Sequence, residues 1–130
     1  MSNNADRRIS HRVSLDPHMS AKLMCMHEES EYHSACILDM GFTGIKFRSG
    51  VHIPMGEEVI LSFSVDGIDE DVLVQGSVVH TVHKDGYSEY GLEFYLTDEE
   101  TDIWSHAMEI ILHECDKDTG TLSYTPCQNI

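Results

Sequence analysis

Val72-Leu73-Val74-Gln75-Gly76-Ser77-Val78-Val79-His80-Thr81-Val82-His83, then Lys84-Asp85-Gly86, then Tyr87-Ser88-Glu89-Tyr90-Gly91-Leu92-Glu93-Phe94-Tyr95-Leu96, forms two alternating runs joined by a short polar link. Val72, Val74, Val78 and Val82 share one side of the first run, and Tyr90, Leu92, Phe94 and Leu96 share one side of the second. A period of two with one apolar side is the signature of a half-buried strand, and an Asp-Gly pair between two such runs turns the chain back on itself. The segment therefore reads as a long antiparallel hairpin. Gly76 and Gly91 inside it suit bulges or sharp bends.

The same period runs upstream. Ala21, Leu23 and Cys25 alternate with Lys22, Met24 and Met26; Ser34 to Leu38 follows; Ile45 and Phe47 alternate with Lys46 and Arg48. Val59, Leu61, Phe63 and Val65 alternate with Ile60, Ser62 and Ser64, and Asp66-Gly67 offers the positive φ of a tight hairpin. About six strands between Ser20 and Tyr95 must close up or expose edges, so the expected fold is mainly β, a six-stranded antiparallel barrel or tightly curled sheet.

After Leu96 the period changes. Thr97-Asp98-Glu99-Glu100 reads as a capping box, and Ile103, Trp104, Ala107, Met108, Ile111 and Leu112 recur at helical spacing. An amphipathic C-terminal α-helix ending near His113 is expected to plug or cross one side of the barrel. The division that follows is a flexible arm over residues 1–12, a barrel with its helix over 13–113, and a mobile tail over 114–130, which is polar and holds Gly120 and Pro126.

At 130 residues the chain is one domain. It has no apolar run long enough to span a membrane, and MSNNADRRIS lacks the apolar stretch of a secretory signal, so a cytoplasmic location is expected. Cys25, Cys36, Cys115 and Cys127 show no CxxC spacing and are expected to be buried or idle thiols, not a disulfide or metal frame. The nine histidines show no ligand spacing either, so no metal is expected. The chain has no G-x-S-x-G elbow, Walker loop or H-E-x-x-H, which argues against an enzyme.

Charge is unevenly spread. Residues 1–12 hold three Arg against one Asp, whereas residues 13–130 hold five Lys and Arg against 22 Asp and Glu. The acidic body disfavours nucleic acid and anionic membranes as partners and leaves a small, compact anion held by the basic stretch. Arg7, Arg8 and Arg12 can grip phosphate oxygens or the O6 and N7 edge of guanine, or stack on a base. Asp39 can accept from the N1 and N2 donors of guanine, and Gly41 and Gly44 allow close backbone approach or positive φ in Asp39-Met40-Gly41-Phe42-Thr43-Gly44. Lys46 and Arg48 share one side of the following strand, as added positive potential or as ordinary surface charges. The arrangement suits a split site for a phosphorylated guanine nucleotide.

Read together, these motifs resemble the PilZ domain family of bacterial cyclic di-GMP receptors, whose members carry RxxxR before the first strand and [D/N]xSxxG at the end of the second. Arg8-Ile9-Ser10-His11-Arg12 matches the former; Asp39-Met40-Gly41-Phe42-Thr43-Gly44 matches the latter in its Asp and final Gly. The stretches from Val74 to Val79 and from Tyr90 to Phe94 look like the family's fifth and sixth strands, so the resemblance covers roughly residues 7–113. It implies a PilZ-like barrel with a C-terminal helix and cyclic di-GMP as ligand, with no other cofactor. Arg8 and Arg12 would take phosphates and guanine edges, Asp39 a guanine, and Gly44 would let the backbone approach. Arg7 is similar to the extra arginine of relatives that bind a stacked pair of ligands.

One departure is Gly41, where the family has a serine whose hydroxyl is implied to bond the ligand. One lost neutral hydrogen bond costs about 0.5–1.5 kcal/mol, a factor of roughly 2 to 13 in affinity. The resemblance implies a receptor whose arm is ordered by ligand and which signals to a separate, unidentified protein. The alternative is a nucleotide-blind PilZ-like adaptor of pilus or motility machinery.

Overall fold

Most of the period-two runs become strands. The computed structural model describes residues 12–26, 31–115 and 122–127. The strands are β1 (Arg12–Cys25), β2 (His33–Gly41), β3 (Gly44–Ser49), β4 (Glu58–Phe63), β5 (Val72–Lys84) and β6 (Tyr87–Phe94), followed by helix α1 (Asp98–Cys115). All pairings are antiparallel, and the order β1-β2-β3-β6-β5-β4 closes because β1 also pairs with β4. Closure leaves none of the six strands as a bare edge.

Most side chains assigned inward from sequence fill the barrel; Val82 does not, because the register shift between Val78 and His80 sets Thr81 opposite the buried Tyr90 and Val82 opposite Glu89. Leu23, Ile45, Phe47, Val59, Leu61, Val74, Tyr90 and Leu92 are all buried. Helix α1 covers one side with Trp104, Ala107, Met108 and Ile111. Trp104 meets Phe63 and Phe94 edge-on, with ring centroids 6.0 and 5.1 Å apart. Its capping box is formed: the Thr97 amide donates to Glu100 Oε1 at 2.8 Å and the Glu100 amide to Thr97 Oγ1 at 3.2 Å. Ile103 departs from the expected apolar face and stands exposed.

The Asp85-Gly86 turn is the tight hairpin expected, with Lys84 opposite Tyr87 and Gly86 at φ +83°. Gly67 also has positive φ, +98°, but it lies in a longer connection between Phe63 and Val72 instead of a two-residue hairpin. Val65 is buried there, and the Asp66 amide donates to the Ser123 carbonyl at 2.7 Å. Gly76 marks a close approach: a Cβ would lie 2.2 Å from the Glu93 carbonyl oxygen.

β1 begins at Arg12, eight residues before the first alternation evident in the sequence, and Val13 and Leu15 are buried in it. Asp16-Pro17 hides this extension, because proline cannot donate to a ladder. The β1–β2 register shifts there, between Ser14 and Met19.

Residues 122–127 correct the expectation of a mobile tail. The Ser20 amide donates to the Thr125 carbonyl at 2.9 Å and the Cys127 amide to the His18 carbonyl at 2.7 Å. Tyr124 is buried and its hydroxyl donates to the Pro17 carbonyl at 2.7 Å. The strap satisfies the part of β1 that precedes its pairing with β4, which starts at Lys22. Cys36 and Cys127 are joined in a disulfide, with Cα atoms 5.7 Å apart across 91 residues, contrary to the expectation of idle thiols. The absence of CxxC spacing was no guide here, because only the folded strap brings the two residues together.

Candidate functional site

The site grows from a phase change in β2. Ile37 is buried, so strict alternation would carry Asp39 into the core as well. The β2–β3 register instead shifts between Ile37 and Asp39, leaving Leu38 as the extra residue of a bulge. Asp39 is thereby turned outward, opposite Lys46 of β3 and Ser14 of β1. Arg12, opposite Gly41, lies diagonally across from it on the same outer face.

Arg12 and Asp39 form an ion pair: Nε donates to Asp39 Oδ1 at 2.8 Å and Nη2 to the same oxygen. Arg12's side chain is 45% exposed and Asp39's 20%, so solvent screens the pair and it contributes little to stability. Among the described residues, Asp39 Oδ2 accepts no hydrogen bond.

A second bulge shapes the opposite wall. Between Val78 and His80 the β5–β6 register shifts, leaving Val79 as the extra residue and turning His80 outward as well, opposite Gly91. A Cβ at Gly91 would stand 3.1 Å from that of His80, so glycine fits where the bulge crowds its partner strand. Arg12, Asp39, Thr43, Lys46, Val79 and Glu93 thus surround an open pocket of about 430 Å³. That is within the range of small-molecule sites. Among the described residues, its cations Arg12 and Lys46 balance the carboxylates Asp39 and Glu93. Glu93 Oε1 also accepts from the Tyr95 hydroxyl at 3.1 Å, which raises the phenol's pKa above its usual value.

Of the residues singled out from sequence, the fold brings Arg12, Asp39 and Gly44 to this pocket. Gly44 is not at positive φ, and neither is Gly41. A Cβ at Gly44 would meet the Leu92 carbonyl oxygen at 2.8 Å, so Gly44 is needed for β3 to approach β6. Gly41 is buried beside the pocket, opposite Arg12, and its carbonyl accepts from Trp104 Nε1 at 3.1 Å. Arg7 and Arg8 lie outside the described residues. Lys46 lines the pocket, whereas Arg48 stacks over Tyr87, 5.5 Å from its ring centre. Glu93, Val79 and Trp104 were missed as site neighbours; only the strand register discloses the first two, and Trp104 read simply as core.

A family model described as the PilZ domain matches residues 6–110. Among solved structures, the PilZ domain of CeSA from a cellulose-synthesizing bacterium is similar at 12% identity and a TM-score of 0.55, covering 77% of this chain and 97% of that one. The Bacillus subtilis inhibitor of motility MotI/DgrA is similar at 11% identity and a TM-score of 0.58, covering 82% of this chain and 51% of its own length. No curated protein matches the chain in sequence.

Proposed function

Since the chain belongs to the PilZ domain family, a family of cyclic di-GMP receptors, we propose that it binds cyclic di-GMP in the pocket beside Arg12 and Asp39 and passes the signal to a separate protein. The observation that carries this reading is the outward-turned Asp39, paired with Arg12 through Oδ1. Arg12 meets phosphate or the guanine O6/N7 edge, Asp39 Oδ2 accepts from guanine, and Lys46 adds positive potential.

The described residues of the pocket are poorly biased toward an anion by themselves, because two cations and two carboxylates cancel among them. Arg7 and Arg8 supply the missing positive charge, which makes the N-terminal arm part of the binding site. Ligand then holds the arm against the barrel and alters the surface shown to the partner. PilZ domains are binding and effector domains, and this chain acts by binding, without catalysis.

A second reading, a nucleotide-blind adaptor, is favoured by two observations: Gly41 offers no hydroxyl, and Arg12 is already engaged by Asp39. Calorimetry with cyclic di-GMP decides between them. Loss of one charge-assisted contact in Arg12→Ala is expected to weaken binding roughly 13- to 160-fold, from about 1.5–3 kcal/mol. Equal affinities for wild type and Arg12→Ala would reject this site, and absence of binding to either protein would favour the adaptor.

A further inference from the structure

The first turns of α1, Trp104 included, and the β4–β5 connection line a second recess of about 440 Å³. Leu73 and Ile103 present apolar surface to it at 58% and 43% exposure. Neither side chain serves the core: Leu73 alternates with the buried Val72 and Val74, and Ile103 flanks the buried Trp104. The rim is acidic, formed by Asp69, Glu70, Asp71 and Glu100 beside His106, and among the described residues no Lys or Arg lines it. Among the described residues no cation pairs with these carboxylates.

We infer that this recess docks a basic amphipathic segment of a partner protein, its apolar side on Leu73 and Ile103 and its Lys or Arg side chains on the acidic rim. Charge complementarity selects that occupant. A second copy of this chain would bring an acidic body, 22 Asp and Glu against five Lys and Arg over residues 13–130, and would be repelled. An uncharged apolar ligand would leave four carboxylates beside it without a counter-charge. Exposed apolar surface rimmed by charge is also the usual anatomy of a protein interface.

Trp104 joins this surface to the nucleotide pocket. It lines the recess, and its Nε1 donates to the carbonyl of Gly41, next to Arg12 in the ladder. The docking surface stands on its own geometry; its role as the output of a cyclic di-GMP receptor rests on the function proposed above.

The test uses a synthetic amphipathic helix with Leu on one side and Lys on the other, and a Leu/Glu counterpart as control. Trp104, the chain's single tryptophan, reports binding by its fluorescence. Saturable binding of the Leu/Lys helix is expected, weakened about tenfold in the double variant Leu73→Ser/Ile103→Ser and again in Asp69→Lys/Glu70→Lys, with the Leu/Glu helix inactive. Cyclic di-GMP calorimetry on the same variants reports the other site separately and should be unchanged. Equal binding of the two helices, no effect of the variants, or saturable uptake of an apolar dye without peptide binding would each overturn the proposal. Peptide binding in a protein that ignores cyclic di-GMP would leave the docking surface standing and refute the receptor reading alone.

Discussion

Gly44→Ala separates a glycine needed by the fold from one needed only by a ligand. The added methyl would stand 2.8 Å from the Leu92 carbonyl oxygen and 3.7 Å from Arg12 Nη1. Arg12 can swing aside, but Leu92 offers backbone, fixed in the β3–β6 ladder by its pairing with Ile45. Overpacking against atoms that cannot change rotamer costs about 1–3 kcal/mol, and stiffening of the unfolded chain returns about 0.4–1 kcal/mol. A net loss of about 1.3 kcal/mol is expected. With an unfolding entropy of about 2.1 cal/mol/K per residue, that lowers Tm by about 5 °C. Differential scanning calorimetry measures it, with Gly50→Ala as control, since nothing lies within 4 Å of a Cβ there. Cyclic di-GMP affinity should fall as well, because Gly44 and Leu92 line the pocket. A Gly44→Ala protein with unchanged Tm would refute the close-approach account.

Arg12→Ala should behave oppositely: the half-exposed ion pair contributes about 0–1 kcal/mol, so thermal unfolding moves by no more than about 4 °C while nucleotide titration shows the large loss. Glu93→Gln removes a carboxylate from the pocket and should tighten cyclic di-GMP binding; the same change should lower the Tyr95 pKa toward its ordinary value, read by ultraviolet titration. Trp104→Phe leaves the Gly41 carbonyl without its indole donor at a cost of about 1–3 kcal/mol, visible in urea unfolding. Cys127→Ser frees the strap from Cys36, opening a 91-residue loop; up to about 4 kcal/mol of stability should be lost under oxidising conditions, and nearly none where wild type is already reduced.

Period-two alternation made most of the barrel legible, because closed sheets leave one side of every strand in the core. It failed at Arg12 to Met19, where Asp16-Pro17 breaks the pattern although Val13 and Leu15 are buried. At Ile103, helical spacing marked an apolar residue without telling core from surface, since the sequence does not say how wide a stripe the barrel covers. The strap at 122–127 was hidden for another reason: it adds main-chain bonds to β1 and so needs little apolar character of its own.

For the site, residue types and spacing pointed to Arg12 and Asp39 separately, and the β1–β2 register explains why they meet. The bulges at Leu38 and Val79 were not legible. A single extra residue in a ladder depends on both strands, yet the first of them decides that Asp39 faces solvent at all. Lys46 and Glu93 follow from the same register, as does the balance of charge among the described pocket residues.

Calorimetric titration of cyclic di-GMP into the full chain, with GTP and cyclic GMP as competitors, asks whether the chain is a receptor at all. Saturable binding at micromolar concentration or tighter, resistant to both competitors and lost in Arg12→Ala, is the predicted result, and the molar ratio distinguishes one bound nucleotide from a stacked pair. An absence of heat at millimolar nucleotide, from a protein shown to be folded, would contradict the account.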